Sequence, residues 1–174
     1  NNIIQQYGED SDQARVEVYG QFPKQGDENF MSRGEIEDAI EREIFPDPGA
    51  PLLMGVDPAR MGNDKAVIRF RQGRDARTIE PMVFGKCSTA ISKYQPDGVF
   101  IEGDGVGGPV IELVRQAGFK VNEVLVSKTA HDPTMYYLHR TEVWGRMRDW
   151  IHTACLPNEP GLISDLSVMR YAIN

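Results

Sequence analysis

Apolar residues gather in short runs along this chain, and turn-forming residues separate the runs. The first run is Leu52–Asp57, the second is Val99–Glu102 and the third is Val121–Val126. Glycine, proline or polar residues border each of them, which is typical of strands that are buried between helices. The pattern therefore predicts three interior strands, and the first two of them end in a carboxylate.

Between the first two runs lie further segments of strand-like composition. Residues 65–72 and 76–83 are joined by Gly73-Arg74-Asp75, which predicts an antiparallel hairpin that continues from the first strand. Helical patterns follow over residues 87–94, 109–116 and 137–154. The chain is thus predicted to form an α/β fold, in which a three-strand antiparallel meander precedes βα units.

The N-terminal part has a different character. Residues 1–30 are polar and irregular, apart from one alternating stretch at Arg15–Pro23 that predicts a short strand or an extended connector. A capping box at Ser32 and Glu35 and isoleucines at four-residue intervals predict a helix over Arg33–Phe45. We expect residues 1–50 to form a connector with an amphipathic helix, and residues 51–174 to form the core domain.

Composition limits the classes of function. The 174 residues are 40% hydrophobic and 26% charged, with a net charge of −7 and a pI near 5.0, which suits one globular core and disfavours a broad basic face. Positive charge is nevertheless concentrated locally at Arg69, Arg71, Arg74 and Arg77. That cluster is either a solvated hairpin or a ribbon that contacts phosphates, and the sequence leaves both readings open.

Several chemistries are disfavoured. Cys87 and Cys155 are isolated, and the three histidines, His131, His139 and His152, lack metal-ligand spacing, so neither zinc nor a disulfide framework is expected. A reduced cytoplasm suits the two cysteines best. No apolar run is long enough for a membrane span, and the first residues do not resemble a signal peptide.

The two strand-end acids are the main candidates for a functional site. In a meander followed by a βα unit, the first and fourth strands should be neighbours, which would place Asp57 beside Glu102. Clustered carboxylates are the ligands that Mg²⁺ and Mn²⁺ prefer. Asp57 alone could be a turn residue, and Asp104 and Asp64 are weaker metal candidates that could instead cap a helix or form a turn.

The glycine-rich segment after Glu102 has a second reading. Gly103–Gly108 could expose backbone N–H groups to a phosphate at a helix N-terminus, but the spacing matches no known nucleotide loop. A tight turn between strand and helix is expected in either case.

Two stretches of the chain combine a strand-end acid with a following turn, namely Gly55–Ala59 with Gly62–Lys65 and Phe100–Glu102 with Gly105–Gly107. They resemble the first and second acidic motifs of the nuclease domain of the large terminase subunit, the DNA-packaging motor of tailed bacteriophages. Arg140–Trp144, with Met147 and Trp150, is similar to the long helix that follows the last parallel strand in the family. The opening segment Tyr7–Ser11 with Arg15–Pro23 is similar to the connector after the ATPase domain.

The resemblance implies a ribonuclease H-like mixed sheet with helices on both faces. It also implies a metal-dependent endonuclease that cuts concatemeric viral double-stranded DNA during packaging, with one or two Mg²⁺ or Mn²⁺ ions at Asp57 and Glu102. Expected partners are double-stranded DNA, an upstream ATPase domain of the same polypeptide, the small terminase subunit and the portal protein, without a membrane. The expected location is the cytoplasm of the infected bacterial host.

Two features depart from the family pattern. A third acid is expected in a segment after Ser164–Tyr171, beyond Asn174, and neither Asp149 nor Asp165 occupies that motif. The C-terminal segment is therefore expected to be missing, which would leave these residues weakly active or inactive. His139 replaces an asparagine that is frequent in the family. Alternatives are a resolvase- or recombinase-type nuclease of the same fold, and a non-catalytic docking domain of a packaging motor.

Overall fold

The computed structural model describes residues 18, 29–58, 66–83 and 86–170, which belong to two compact units. One unit is the continuous segment Glu43–Pro157, and the other combines Asn1–Arg42 with Asn158–Asn174. Apart from Val18, the predicted connector at Arg15–Pro23 lies outside the described residues.

A five-stranded mixed sheet forms the centre of the larger unit. Its order is β3-β2-β1-β4-β5, with antiparallel pairing among the first three strands and parallel pairing of β1 with β4 and of β4 with β5. The predicted meander followed by parallel strands is therefore confirmed. The strands are β1 Leu52–Asp57, β2 Val67–Gln72, β3 Met82–Val83, β4 Gly98–Glu102 and β5 Asn122–Val124.

Two helices cover one face of this sheet. They are α2 at Cys87–Tyr94 and α3 at Gly107–Gln116. The first helix of the chain, α1 at Arg33–Glu41, belongs to the other unit. Alternate residues of the strands point toward α2 and α3, because successive side chains of a strand face opposite sides. The resulting core contains Met54, Val56, Ile68, Phe70, Ala90, Ile91, Val99, Ile101, Ile111 and Val114.

Helix α4, which spans His139–Ile151, contacts the sheet near the end of β2. Trp150 near the end of α4 donates its indole N–H to the carbonyl of Gly73 at 3.2 Å. The guanidinium of Arg71 lies 5.3 Å from the centre of the same ring, in cation–π range. Since Arg71 and the core residue Phe70 are consecutive on β2, α4 lies on the face away from α2 and α3.

The smaller unit pairs two short helices. Helix α1 begins with the predicted capping box, in which the Ser32 side chain accepts from the Glu35 amide and the Glu35 carboxylate accepts from the Ser32 amide. It contacts α5, which spans Pro160–Val168, and the Phe30 amide donates to the Met169 carbonyl at 2.7 Å. Within the described ranges, no helix is long and apolar enough to cross a membrane.

Several predicted boundaries were wrong. Helix α1 ends at Glu41 rather than Phe45, because the backbone of Arg42 is already extended. Phe45 itself precedes Pro46 and is therefore disfavoured in helical conformation. The predicted strand over residues 76–83 shrinks to β3, since the Asp75 carboxylate accepts from the Arg77 and Thr78 amides and folds the chain into a turn. Helix α4 and strand β5 are both shorter than predicted.

Gly107 fixes the contact between α3 and the end of β4. A Cβ atom at this buried position would lie 1.7 Å from the carbonyl oxygen of Glu102, which is far inside van der Waals contact. The glycine therefore allows α3 to begin directly against the strand end that carries Glu102. A Cβ atom at Gly108, the next residue, would meet no atom within 4 Å beyond its chain neighbours and the backbone of its own helix.

We predict that Gly107→Ala destabilises the fold by about 1–3 kcal/mol, because the added methyl group must push helix and strand apart. The matched variant Gly108→Ala should be neutral or should stabilise by up to about 1 kcal/mol, since alanine is the better helix former. Urea unfolding followed by circular dichroism measures both. Equal stability of the two variants would contradict the close approach of α3 to Glu102.

Candidate metal centre at the ends of β1 and β4

Asp57 and Glu102 end two adjacent parallel strands. In the register of the pair, Val56 lies opposite Ile101, so the next residue of each strand is one of the two acids. Val56 and Ile101 belong to the core beneath α2 and α3. Asp57 and Glu102 must therefore point to the face on which α4 lies. The expectation that these strands are neighbours is confirmed.

Burial and neighbouring charges both act on the carboxyl group of Glu102. Partial burial raises the pKa of Glu102 above its ordinary value, and the negative charges of Asp57 and Asp104 raise it further. The positive charge of Arg140 acts in the opposite direction. Carboxylates so placed repel one another, and a hard divalent cation that accepts oxygen ligands would relieve this repulsion. The donor chemistry of the pair thus fits Mg²⁺ or Mn²⁺.

Asp104 has a specific structural task. Its carboxylate accepts from the amide of Ser127 at 3.0 Å and from the Ser127 hydroxyl at 2.8 Å, and these bonds hold its pKa below the ordinary value. Of its two readings from the sequence, the helix cap is excluded, because the N-cap position of α3 belongs to Val106, and the metal ligand stays a prediction. Asp104 instead ties the turn after β4 to the loop after β5, while its charge still acts on Glu102.

Arg140 is a neighbour of this site whose role was not predicted from the sequence. It lies in the first turn of α4, and its amide donates to the Val126 carbonyl at 2.9 Å. Its positive charge favours the ionised forms of both Glu102 and Asp104. The only signal in the sequence was its place in the family-like motif of the long helix, which gives no information about the direction of the side chain.

The other candidates lie apart from the pair or outside the described residues. Asp64 belongs to the segment 59–65, which is not described. In the arginine cluster, the guanidinium of Arg71 lies over the ring of Trp150. Partial burial lowers the pKa of Arg71, and the positive charge of Arg74 lowers it further. Arg69 is partly buried on β2, whereas Arg74 and Arg77 are exposed in the turn after it. DNA contact by these arginines stays a prediction.

The structure also assembles a cluster that sequence spacing argued against. Ligand atoms of His131, His139 and Glu142 all lie within 4.8 Å of one another. His139 and Glu142 share the first turn of α4, and His131 comes from the loop before it. A histidine and a glutamate three residues apart on a helix were the available signal, but neither residue type is rare enough to stand out.

Comparison with known proteins places this fold. No protein-family model and no curated protein sequence matches the chain. Among solved structures, a mutant large terminase subunit fragment of bacteriophage Sf6 with calcium matches with a TM-score of 0.65 and 14% identity, over 84% of both chains. The mutant Sf6 nuclease domain with manganese matches with a TM-score of 0.63 and 12% identity, again over 84% of each chain.

A structure from a second phage agrees with these two. The large terminase nuclease of thermophilic phage G20c with bound magnesium matches with a TM-score of 0.62 and 14% identity, covering 86% of this chain and 85% of that one. Identities this low speak for the fold alone. Together with the sheet order and the helices on both of its faces, they show that the chain has the ribonuclease H-like fold of phage large-terminase nuclease domains.

Proposed function

We propose that this chain is a divalent-metal-dependent endonuclease domain of a large terminase subunit, which cuts double-stranded viral DNA during genome packaging. The observation that supports the proposal most directly is the parallel register of β1 and β4, because it sets Asp57 and Glu102 side by side. Similar folds in phages Sf6 and G20c are nuclease domains by name, and their structures contain manganese or magnesium.

Asp57 and Glu102 would hold one or two Mg²⁺ or Mn²⁺ ions. When bound, such ions activate water and neutralise charge on a scissile phosphate. Asp57 is exposed at its strand end, so a large substrate could reach it without opening the core. Arg140 adds a positive charge beside the acids, where a DNA backbone would approach, and such contacts orient DNA without reading its sequence.

The wider setting belongs to the same proposal. The connector at residues 1–50 would follow an ATPase domain of the same polypeptide, and residues 51–174 would form the nuclease core. Double-stranded DNA, the small terminase subunit and the portal protein would be partners, and the host cytoplasm would be the site of action. Asp104 and Asp64 are kept as weaker metal ligands, and the exposed Arg74 and Arg77 as phosphate contacts.

We predict that Mn²⁺ binds this chain, and that Asp57→Ala or Glu102→Ala weakens the binding at least about tenfold, because each removes a ligand. Isothermal calorimetry measures the affinity. Asp149→Ala is the matched control, since it removes an exposed acid elsewhere on α4. Any manganese-dependent nicking of supercoiled plasmid should be lost in the same two variants and kept in the control.

Three results would contradict this proposal or favour one of the alternative functions. Mn²⁺ affinity unchanged in both variants would exclude the pair as a metal site. An absence of any Mn²⁺ binding would favour a docking domain without catalysis. Binding with cleavage confined to branched DNA would favour a resolvase-type nuclease of the same fold.

The raised pKa of Glu102 leads to a separate prediction about the stability of the protein. When the pKa of a carboxyl group is higher in the folded state than in the unfolded state, ionisation of that group destabilises the fold. The stability of the protein therefore falls as the pH rises from the ordinary pKa of 4.5 through the pKa of the folded state. In metal-free buffer, Glu102→Gln should therefore melt at a higher temperature than the parent at pH 7. The difference should vanish below pH 4.5, where Glu102 is protonated in both states.

Thermal unfolding at several pH values tests this, with Asp57→Asn expected to act in the same direction by removing a neighbouring charge. If both variants are strongly destabilised at pH 7, the two acids are structural groups and not a preformed ligand pair.

A further inference from the structure

We infer that His131, His139 and Glu142 form a second metal site, suited to zinc and separate from Asp57 and Glu102. Their ligand atoms lie within 4.8 Å of one another. In a tetrahedral zinc site with bonds of about 2.1 Å, ligand atoms are about 3.4 Å apart, so a contraction of at most about 1.4 Å from the 4.8 Å limit would complete the geometry. His131 is exposed and lies in a loop, so it is the ligand best able to make that movement.

The three donors are held together by the fold before any ion arrives. His139 and Glu142 are three residues apart in the first turn of α4, and residues with this spacing lie on the same side of a helix. The amide of His131 donates to Oε2 of Glu142 at 2.6 Å, which fastens the loop to the helix. The rings of His131 and His139 meet edge to face with centroids 4.7 Å apart.

The hydrogen bonding of His139 prepares one of its nitrogens for a metal. Nδ1 lies 3.1 Å from the carbonyl oxygen of Leu125. A carbonyl oxygen only accepts hydrogen bonds, so in the neutral ring the proton must be on Nδ1, and Nε2 keeps a free lone pair. A backbone carbonyl that orients a histidine in this manner is a usual companion of histidine ligands in metal sites.

Glu142 provides a charged oxygen donor. Its side chain is fully buried, and burial raises its pKa, but the bond from the His131 amide and the charge of Arg146 outweigh this effect. The carboxylate is thus compensated within the fold by the His131 amide and the Arg146 guanidinium. Its Oε1 accepts from Arg146, whose side chain is 70% exposed, and each carboxylate oxygen has a second lone pair for an ion.

The donor set selects the metal. Two imidazole nitrogens and one carboxylate oxygen suit zinc, and three protein ligands leave a fourth position for water. Magnesium and manganese prefer sites built from oxygen alone, such as the Asp57 and Glu102 pair. Magnesium should therefore bind only at the acidic pair, whereas zinc should also bind at the histidine site. Both sites lie near the start of α4.

A bound ion would clamp the loop before α4 onto its first turn. Arg140, the residue after His139, acts electrostatically on Glu102, so the clamp would also hold this arginine beside the acidic pair. Because the ion binds only the folded arrangement, zinc should raise the melting temperature of the protein.

Zinc titration of the metal-free protein tests the inference. The expected result is one zinc per chain by calorimetry in a background that lacks the acidic pair, Asp57→Asn with Glu102→Gln. In that background the affinity should be at least about tenfold weaker when His131→Ala or His139→Ala is added. The control His152→Ala in the same background removes the remaining histidine of the chain and should leave zinc binding unchanged.

Cobalt(II) gives a second readout, since replacement of zinc in a tetrahedral nitrogen and oxygen site produces visible absorption bands. His131→Ala is the decisive variant, because it removes an exposed ring but keeps the backbone amide that bonds Glu142, and its fold is checked by circular dichroism. Zinc binding that persists unchanged when His131→Ala and His139→Ala are added to the acidic double variant overturns the site. Loss of binding in the acidic double variant, or no binding by the parent, overturns it as well.

Discussion

The parallel pairing of β1 with β4 is the constraint on which the candidate metal centre depends. It joins the antiparallel meander to the βα part of the chain and aligns Val56 with Ile101. Because side chains alternate along a strand, burying these two residues beneath α2 and α3 turns the following acids to the other face. Gly107 maintains this arrangement, since a larger residue would force α3 away from the carbonyl of Glu102.

The acids are accompanied by groups that balance their charge and hold the surrounding loops. Ser127 satisfies Asp104, and the charge of Arg140 opposes the repulsion among the carboxylates. Helix α4 supplies this arginine at one end, while Trp150 near its other end bonds Gly73. Helix α4 therefore contacts the turn after β2 at one end and lies near Asp57 and Glu102 at the other. Its first turn carries His139 and Glu142 of the inferred zinc site.

Much of the fold and the core of the candidate site could be predicted from particular residues. The capping box at Ser32, the exact span of β1 and the span of α2 were predicted because their signals are local. The residues after Asp75 were mistaken for a strand, because their composition suits one, while the competing turn depends on carboxylate bonds to two later amides. A helix cap was one of two readings left open for Asp104, and its bond to Ser127 was not predicted, because Ser127 is far away in sequence.

The sequence by itself determined the sheet type, the pairing of the two strands that end in an acid, and which acids lie at those strand ends. These features could be predicted because hydrophobic runs and glycine-rich turns consist of consecutive residues. Only the tertiary structure decided the approach of Arg140 to Glu102, the bond between Asp104 and Ser127, and the meeting of His131 with His139 and Glu142. These contacts depend on how a loop and a helix pack after the sheet has formed. Packing of that kind leaves no periodic signal along the chain.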